Sequence, residues 1–177
     1  ILGGDPCFIV HPSALAPALI ALGARVHTRS GRGTRELLVE SLYVLPQDNV
    51  SAETVLAVDE VIPEVTVPAP LPGSKSVYLK FKEKGTMDFA MAAAAVSLQV
   101  QGGQGRAARI VLGGVAPKPW PVPEAERLLV GQAVTEAAAE AASEAALKGA
   151  DPLDYNAYKV PLTKTLVKRA ILAAAKG

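Results

Sequence analysis

The chain has 177 residues and a net charge of +1, from 18 lysines and arginines against 17 acidic residues; half is hydrophobic, yet only 5% is aromatic. This length buries a real core, as one domain or two small ones, packed mainly by alanine, valine and leucine. The balanced charge argues against nucleic-acid binding, which shows as a basic stripe, and one cysteine, Cys7, excludes an intramolecular disulfide and a thiolate-rich metal site.

The chain opens Ile1-Leu2-Gly3-Gly4 without methionine, which points to processing, cleavage or a boundary upstream. Those residues lack the basic region and cleavage signature of a signal peptide, and no run approaches the roughly 20 apolar residues that span a bilayer. Cys7 reads as a small buried hydrophobe. His11 and His27 have no companion at metal-ligand spacing.

Ser13 is a natural N-cap for a helix with Leu15, Ala18, Leu19 and Leu22 on one face, closed at Gly23. Residues 24–28 and 34–39 read as a hairpin around Ser30-Gly31-Arg32-Gly33. This helix and hairpin are too small for a core of their own and must lean on a larger unit. Pro46-Gln47-Asp48-Asn49 is the first linker. Residues 60–68 form a strand near an edge, because Pro63 cannot donate to a ladder and a proline cluster follows. Residues 76–82 alternate Val77, Leu79 and Phe81 with Tyr78, Lys80 and Lys82.

Residues 88–100 combine helix-favouring alanines with a two-residue alternation. Strand is the better reading, since Gly102-Gly103-Gln104-Gly105 resembles a hairpin tip and residues 107–112 return. Pro117 to Pro123 is an extended connector. Helices follow at 124–130, at 135–147 with Thr135 as cap, and at 156–175. Glu136, Glu140 and Glu144 fall on one face, read as solvated. Strands first and helices last make an α+β fold: an antiparallel sheet of three to four strands packed against a C-terminal helical layer.

No nucleophile with a nearby base and no phosphate loop of recognisable spacing appears. Chemistry enters through a resemblance. Tyr78-Leu79-Lys80-Phe81 with Met87-Asp88-Phe89-Ala90, and Leu112-Gly113-Gly114-Val115-Ala116-Pro117-Lys118-Pro119-Trp120, are similar to the C-terminal part of the flavoprotein subunit of molybdenum hydroxylases. This is the family of xanthine dehydrogenase, aldehyde oxidoreductase and carbon monoxide dehydrogenase. Upstream, Cys7 to Ser13 and then Leu15 resemble the end of that family's flavin-binding domain. The resemblance implies a partial α/β flavin-domain remnant over residues 1–45 and the subunit's C-terminal domain over residues 46–177.

It also implies roles. Lys80 would lie against the flavin rings, where an ammonium stabilises negative charge that builds on them. Ile62, in Asp59-Glu60-Val61-Ile62, would be an apolar contact on the flavin face. Ala14 stands where the family carries a flavin-contacting aspartate and supplies no side-chain hydrogen bond. No catalytic acid, base or nucleophile and no metal ligand is expected.

The implied cofactor is FAD, with molybdopterin in a large partner subunit and iron–sulfur clusters in a small one. Such an oxidoreductase complex would lie in the cytoplasm, or in the periplasm if exported, with no nucleic-acid partner and no membrane insertion. The glycine loops that hold the flavin pyrophosphate are expected upstream of Ile1, so the isolated chain is expected neither to hold flavin nor to be catalytically competent by itself. The alternative is a structural or docking α+β module without cofactor.

Overall fold

The computed structural model describes residues 1–176. It contains α1 (Leu15–Ala21), β1 (Arg25–Ser30), β2 (Gly33–Leu38), a 3-10 turn (Val39–Leu42), β3 (Val61–Thr66), β4 (Ser74–Phe81), β5 (Ala92–Gln101), β6 (Gln104–Gly113), β7 (Trp120–Pro121), α2 (Pro123–Arg127), α3 (Glu136–Ala146) and α4 (Lys159–Lys176). The strands form two antiparallel sheets, one ordered β2-β1-β3 and one ordered β4-β5-β6-β7. The architecture is α+β, as the sequence pattern predicts.

Alternation along the larger sheet divides its side chains between two cores. On one face Val77, Leu79, Ala92, Ala94, Val96, Leu98, Ile110 and Leu112 meet α2 and the turn after it, α3 and α4, through Ala125, Leu129, Ala139, Ala142, Val167, Ala170 and Ile171. On the other face Tyr78, Ala95 and Val111 join Ile20, Ala21, Val26, Val39 and Leu42. The helix and hairpin at the start of the chain thus borrow the back of this sheet for their core. β5 is covered on both sides, and Ala92 to Val96 are all buried. A strand buried on both faces needs small side chains and loses its polar alternation, which explains why residues 88–100 read ambiguously.

Local chemistry sets the ends of these elements. The Ser13 hydroxyl accepts the Ala16 N–H at 3.1 Å, capping the start of α1. Gly102 and Gly103 take φ of 60° and 78° between the paired Gln101 and Gln104, the two-residue hairpin turn that right-twisted strands favour. Thr135 Oγ1 accepts the Ala138 N–H at 3.1 Å at the start of α3.

Three features differ from the sequence reading. Residues 120–121, expected as connector, pair with β6. Cys7, expected buried, is half-buried. The acidic row of α3 is exposed but partnered: Lys164 Nζ lies 2.5 Å from Glu144, and Lys168 Nζ lies 2.7 Å from Glu140 and 3.1 Å from Glu136. Among the described residues no helix is long and apolar enough to cross a membrane.

Candidate cofactor-binding site

Lys80 lies on β4, the outer strand of the larger sheet, on the face that also carries Tyr78. The register sets Lys80 beside Ala93 and Ala93 beside Gly113, a row of one long cation and two minimal side chains. At its far end α1 closes over the row, since a Cβ on Gly113 would lie 3.0 Å from Pro17 Cγ. Lys80 and the first turn of α1, which Ala14 precedes, therefore share one sheet face.

The loop after β4 folds back on its own strand. Lys80 Nζ donates to the Asp88 carbonyl at 2.6 Å, and Lys82 Nζ donates to the Thr86 carbonyl at 2.6 Å. The Met91 N–H closes the loop on the Phe81 carbonyl at 2.9 Å. Phe81 at the end of β4 and Met87 and Phe89 on the loop are exposed. The Tyr78 hydroxyl is buried without a partner among the described residues, and burial raises its pKa.

Residues 113–116 join these parts. Pro17 packs on Gly113, and a Cβ on Gly114 would lie 2.7 Å from the Ala90 carbonyl oxygen. Lys159 Nζ donates to the Gly114 carbonyl at 2.9 Å; burial lowers the pKa of this lysine. Leu2 N–H donates to Val115 at 3.2 Å and His11 N–H to Ala116 at 3.0 Å. The His11 ring stands edge-on to Tyr43 at 4.8 Å, and both its nitrogens lack partners among the described residues.

Ile62 is not brought to this row. It lies on β3, the edge of the smaller sheet, and is 38% exposed beside the exposed Val61 and Val65. β3 follows the Pro46 linker in sequence yet pairs with β1.

The sequence reading passed over Gly3 and Gly4. They line a cavity of about 290 Å³ together with Asp5, Phe8, Gln47 and Asn156. A Cβ on Gly3 would meet the Trp120 ring at 2.6 Å, so only glycine fits there. Neither the Gly3 nor the Gly4 N–H has a backbone partner among the described residues. The adjacent glycines were the available signal.

For a flavin, the fit of these groups is partial. Small side chains beside an oriented ammonium suit a flat, electron-accepting ring, and free backbone donors suit a phosphate. Ala14 offers nothing polar.

Comparisons with known proteins give the family. Residues 2–70 match the family model described as the FAD binding domain in molybdopterin dehydrogenase. Residues 76–174 match the CO dehydrogenase flavoprotein C-terminal domain. The aldehyde oxidoreductase FAD-binding subunit PaoB of Escherichia coli (strain K12) is 32% identical over 176 residues, covering 98% of this chain and 51% of that protein. The carbon monoxide dehydrogenase medium chain of Hydrogenophaga pseudoflava is 32% identical over 178 residues, covering 98% of this chain and 60% of its own.

In structure, the carbon monoxide dehydrogenase of Hydrogenophaga pseudoflava lacking the Mo-pyranopterin moiety superposes with a TM-score of 0.81. It is 31% identical over 91% of this chain and 58% of the matched one. The chain thus spans between half and three-fifths of the length of these relatives.

Proposed function

The chain belongs to the CO dehydrogenase flavoprotein family, and on that premise we propose that it forms part of the FAD-binding subunit of a molybdenum hydroxylase. The observation that carries this reading is the row Lys80–Ala93–Gly113 under the first turn of α1. When bound, the flavin would supply the capacity to accept electrons and release them to an external acceptor.

This chain's residues would bind and orient it. Lys80, aimed by the Asp88 carbonyl, would present its ammonium to the ring edge where electron density accumulates. Ala93 and Gly113 would leave room for a flat ring. Ile62 would offer an aliphatic surface from β3. Gly3 and Gly4 would offer backbone N–H groups to a phosphate. Ala14 would leave one position without a polar contact.

The partners in this reading are a molybdopterin-binding large subunit and an iron–sulfur small subunit, in the cytoplasm or, for an exported complex, the periplasm. Support comes from the relatives, which are an FAD-binding subunit of an aldehyde oxidoreductase and a medium chain of a carbon monoxide dehydrogenase. The two units, expected to divide at 45/46, would divide instead near Pro68–Gly73. The pairing of β3 with β1 and the bounds of the two family matches support that position.

The test is Lys80→Ala in the full-length subunit, read by flavin reduction potential and by the rate of flavin reduction. The expected result is a lower potential and slower reduction. Unchanged potential and kinetics would remove Lys80 from the site.

A further inference from the structure

Glu60 is a carboxylate with only 6% of its side chain exposed, just before β3. It accepts four hydrogen bonds: from Arg35 Nε at 2.6 Å, from Arg35 Nη2 at 2.6 Å, from the Ala57 N–H at 3.1 Å and from the Thr28 hydroxyl. Arg35 Nη2 also donates to the Val55 carbonyl at 2.9 Å. The fork of the guanidinium on the carboxylate fixes direction as well as distance. The hydrogen bonds from Arg35 and Thr28 hold the Glu60 carboxyl down at about 2.

The partner of this cluster is an irregularity in β3. Pairing runs from His27 opposite Glu64 to Arg29 opposite Val61, so Thr28 alone faces both Ile62 and Pro63. That is a β-bulge, a feature that re-aims side chains at the edge of a sheet. Pro63 has no N–H and cannot close the ladder at this point. A slip of one residue would exchange the faces of Val61, Ile62 and Pro63. Thr28, itself 1% exposed, turns its hydroxyl to Glu60 and links the bulge to the clamp.

We propose that Thr28, Glu60 and Arg35 are positioning residues that set the bulge and so select Ile62 as the aliphatic side chain β3 presents to the flavin. The proposal rests on the reading of Ile62 as a flavin contact.

The test separates positioning from mere stability. Thr28→Val removes the hydroxyl and keeps the shape. Thr28→Ser keeps the hydroxyl and sacrifices a buried methyl. In the full chain without flavin, the Ile62 δ1-methyl NMR resonance should move in Thr28→Val and in Glu60→Gln but stay put in Thr28→Ser. In the flavin-loaded full-length subunit, the first two variants should change the visible circular dichroism of the flavin and weaken its binding about tenfold. Thr28→Ser should match the wild type in both respects, although it gives up a buried methyl.

Identical Ile62 resonances in Thr28→Val and Thr28→Ser would overturn the positioning role. Should Glu60→Gln fail to fold, the threonine pair alone decides. Ile62→Ala in the loaded subunit addresses the underlying reading: unchanged flavin dichroism would remove Ile62 from the flavin face and, with it, the functional half of the proposal. The methyl resonances report on the bulge independently of that outcome.

Discussion

Gly114→Ala is the sharpest perturbation of the segment that joins the parts of the site. Gly114 has φ of 73°, and an added Cβ would lie 2.7 Å from the Ala90 carbonyl oxygen and 3.3 Å from its carbon. The left-handed backbone costs an alanine about 1–2 kcal/mol. Displacing a packed backbone carbonyl adds about 1–3 kcal/mol, for a total of roughly 2–5 kcal/mol.

Gly102→Ala is the internal control. It has the same backbone sign, φ of 60°, with nothing within 4 Å of the added carbon, so it should cost only about 1–2 kcal/mol. For a protein of this size each kcal/mol lowers Tm by about 2–4 °C. Differential scanning calorimetry should therefore place Gly114→Ala below Gly102→Ala by about 4–8 °C, for a central difference of about 2 kcal/mol. Because Ala90 lies in the loop that Lys80 holds through Asp88, proteolysis within residues 82–91 should also quicken only in Gly114→Ala. Equal Tm values for the two variants would refute the contact argument.

Two further outcomes follow from charge. Burial lowers the pKa of His11 from 6.5, against the weaker pull of Glu53. The unfolded chain therefore takes the proton first, and the stability this residue contributes is present above pH 6.5 and lost as pH falls below it. His11→Phe keeps the edge contact with Tyr43 without titrating, so its Tm should fall less between about pH 7 and pH 5; parallel curves would sink the assignment. Lys168→Met, which keeps the stem but removes the charge between Glu136 and Glu140, should lower Tm at low salt. The loss should shrink at about 1 M salt, where screening reaches about 3 Å, and an equal loss at both salts would show packing rather than charge.

Much of the fold was legible because it is locally encoded. Ser13 and Thr135 cap helices, and Gly102-Gly103 turns a hairpin, through chemistry that spans three or four residues. What escaped is non-local. Nothing around Ile62 announces that β3 crosses the Pro46 linker to pair with β1, or that a bulge falls opposite Thr28. The acidic row of α3 reads as solvated until α4 sets Lys164 and Lys168 beside it. In the site, alternation placed Lys80 on a strand face, but its partner depends on a loop folding back. Segment 112–120 was visible as a signature; that its carbonyls receive Leu2, His11 and Lys159 was not.

Those carbonyl contacts bear on what the site can attract. Lys164 and Lys168 sit on carboxylates that cancel their charge, as do Arg25, Arg35 and Arg109. Lys80 and Lys159 are held differently, each by a neutral backbone carbonyl, and neither has a carboxylate partner among the described residues. The Asp88 carboxylate, the nearest in sequence to the Lys80 contact, accepts the Phe89 N–H instead. A carbonyl fixes the direction of an ammonium and leaves its net charge intact, whereas a carboxylate removes the field it orients. The backbone segments that hold them adjoin, since Ala90, two residues after Asp88, lies against Gly114, whose own carbonyl holds Lys159. Each of these lysines is thus oriented by a group that does not neutralise it. In the proposed flavin site, an ammonium so held would favour a ligand that gains negative charge as it reacts, and the carbonyl that orients it is backbone that no single-residue motif would reveal.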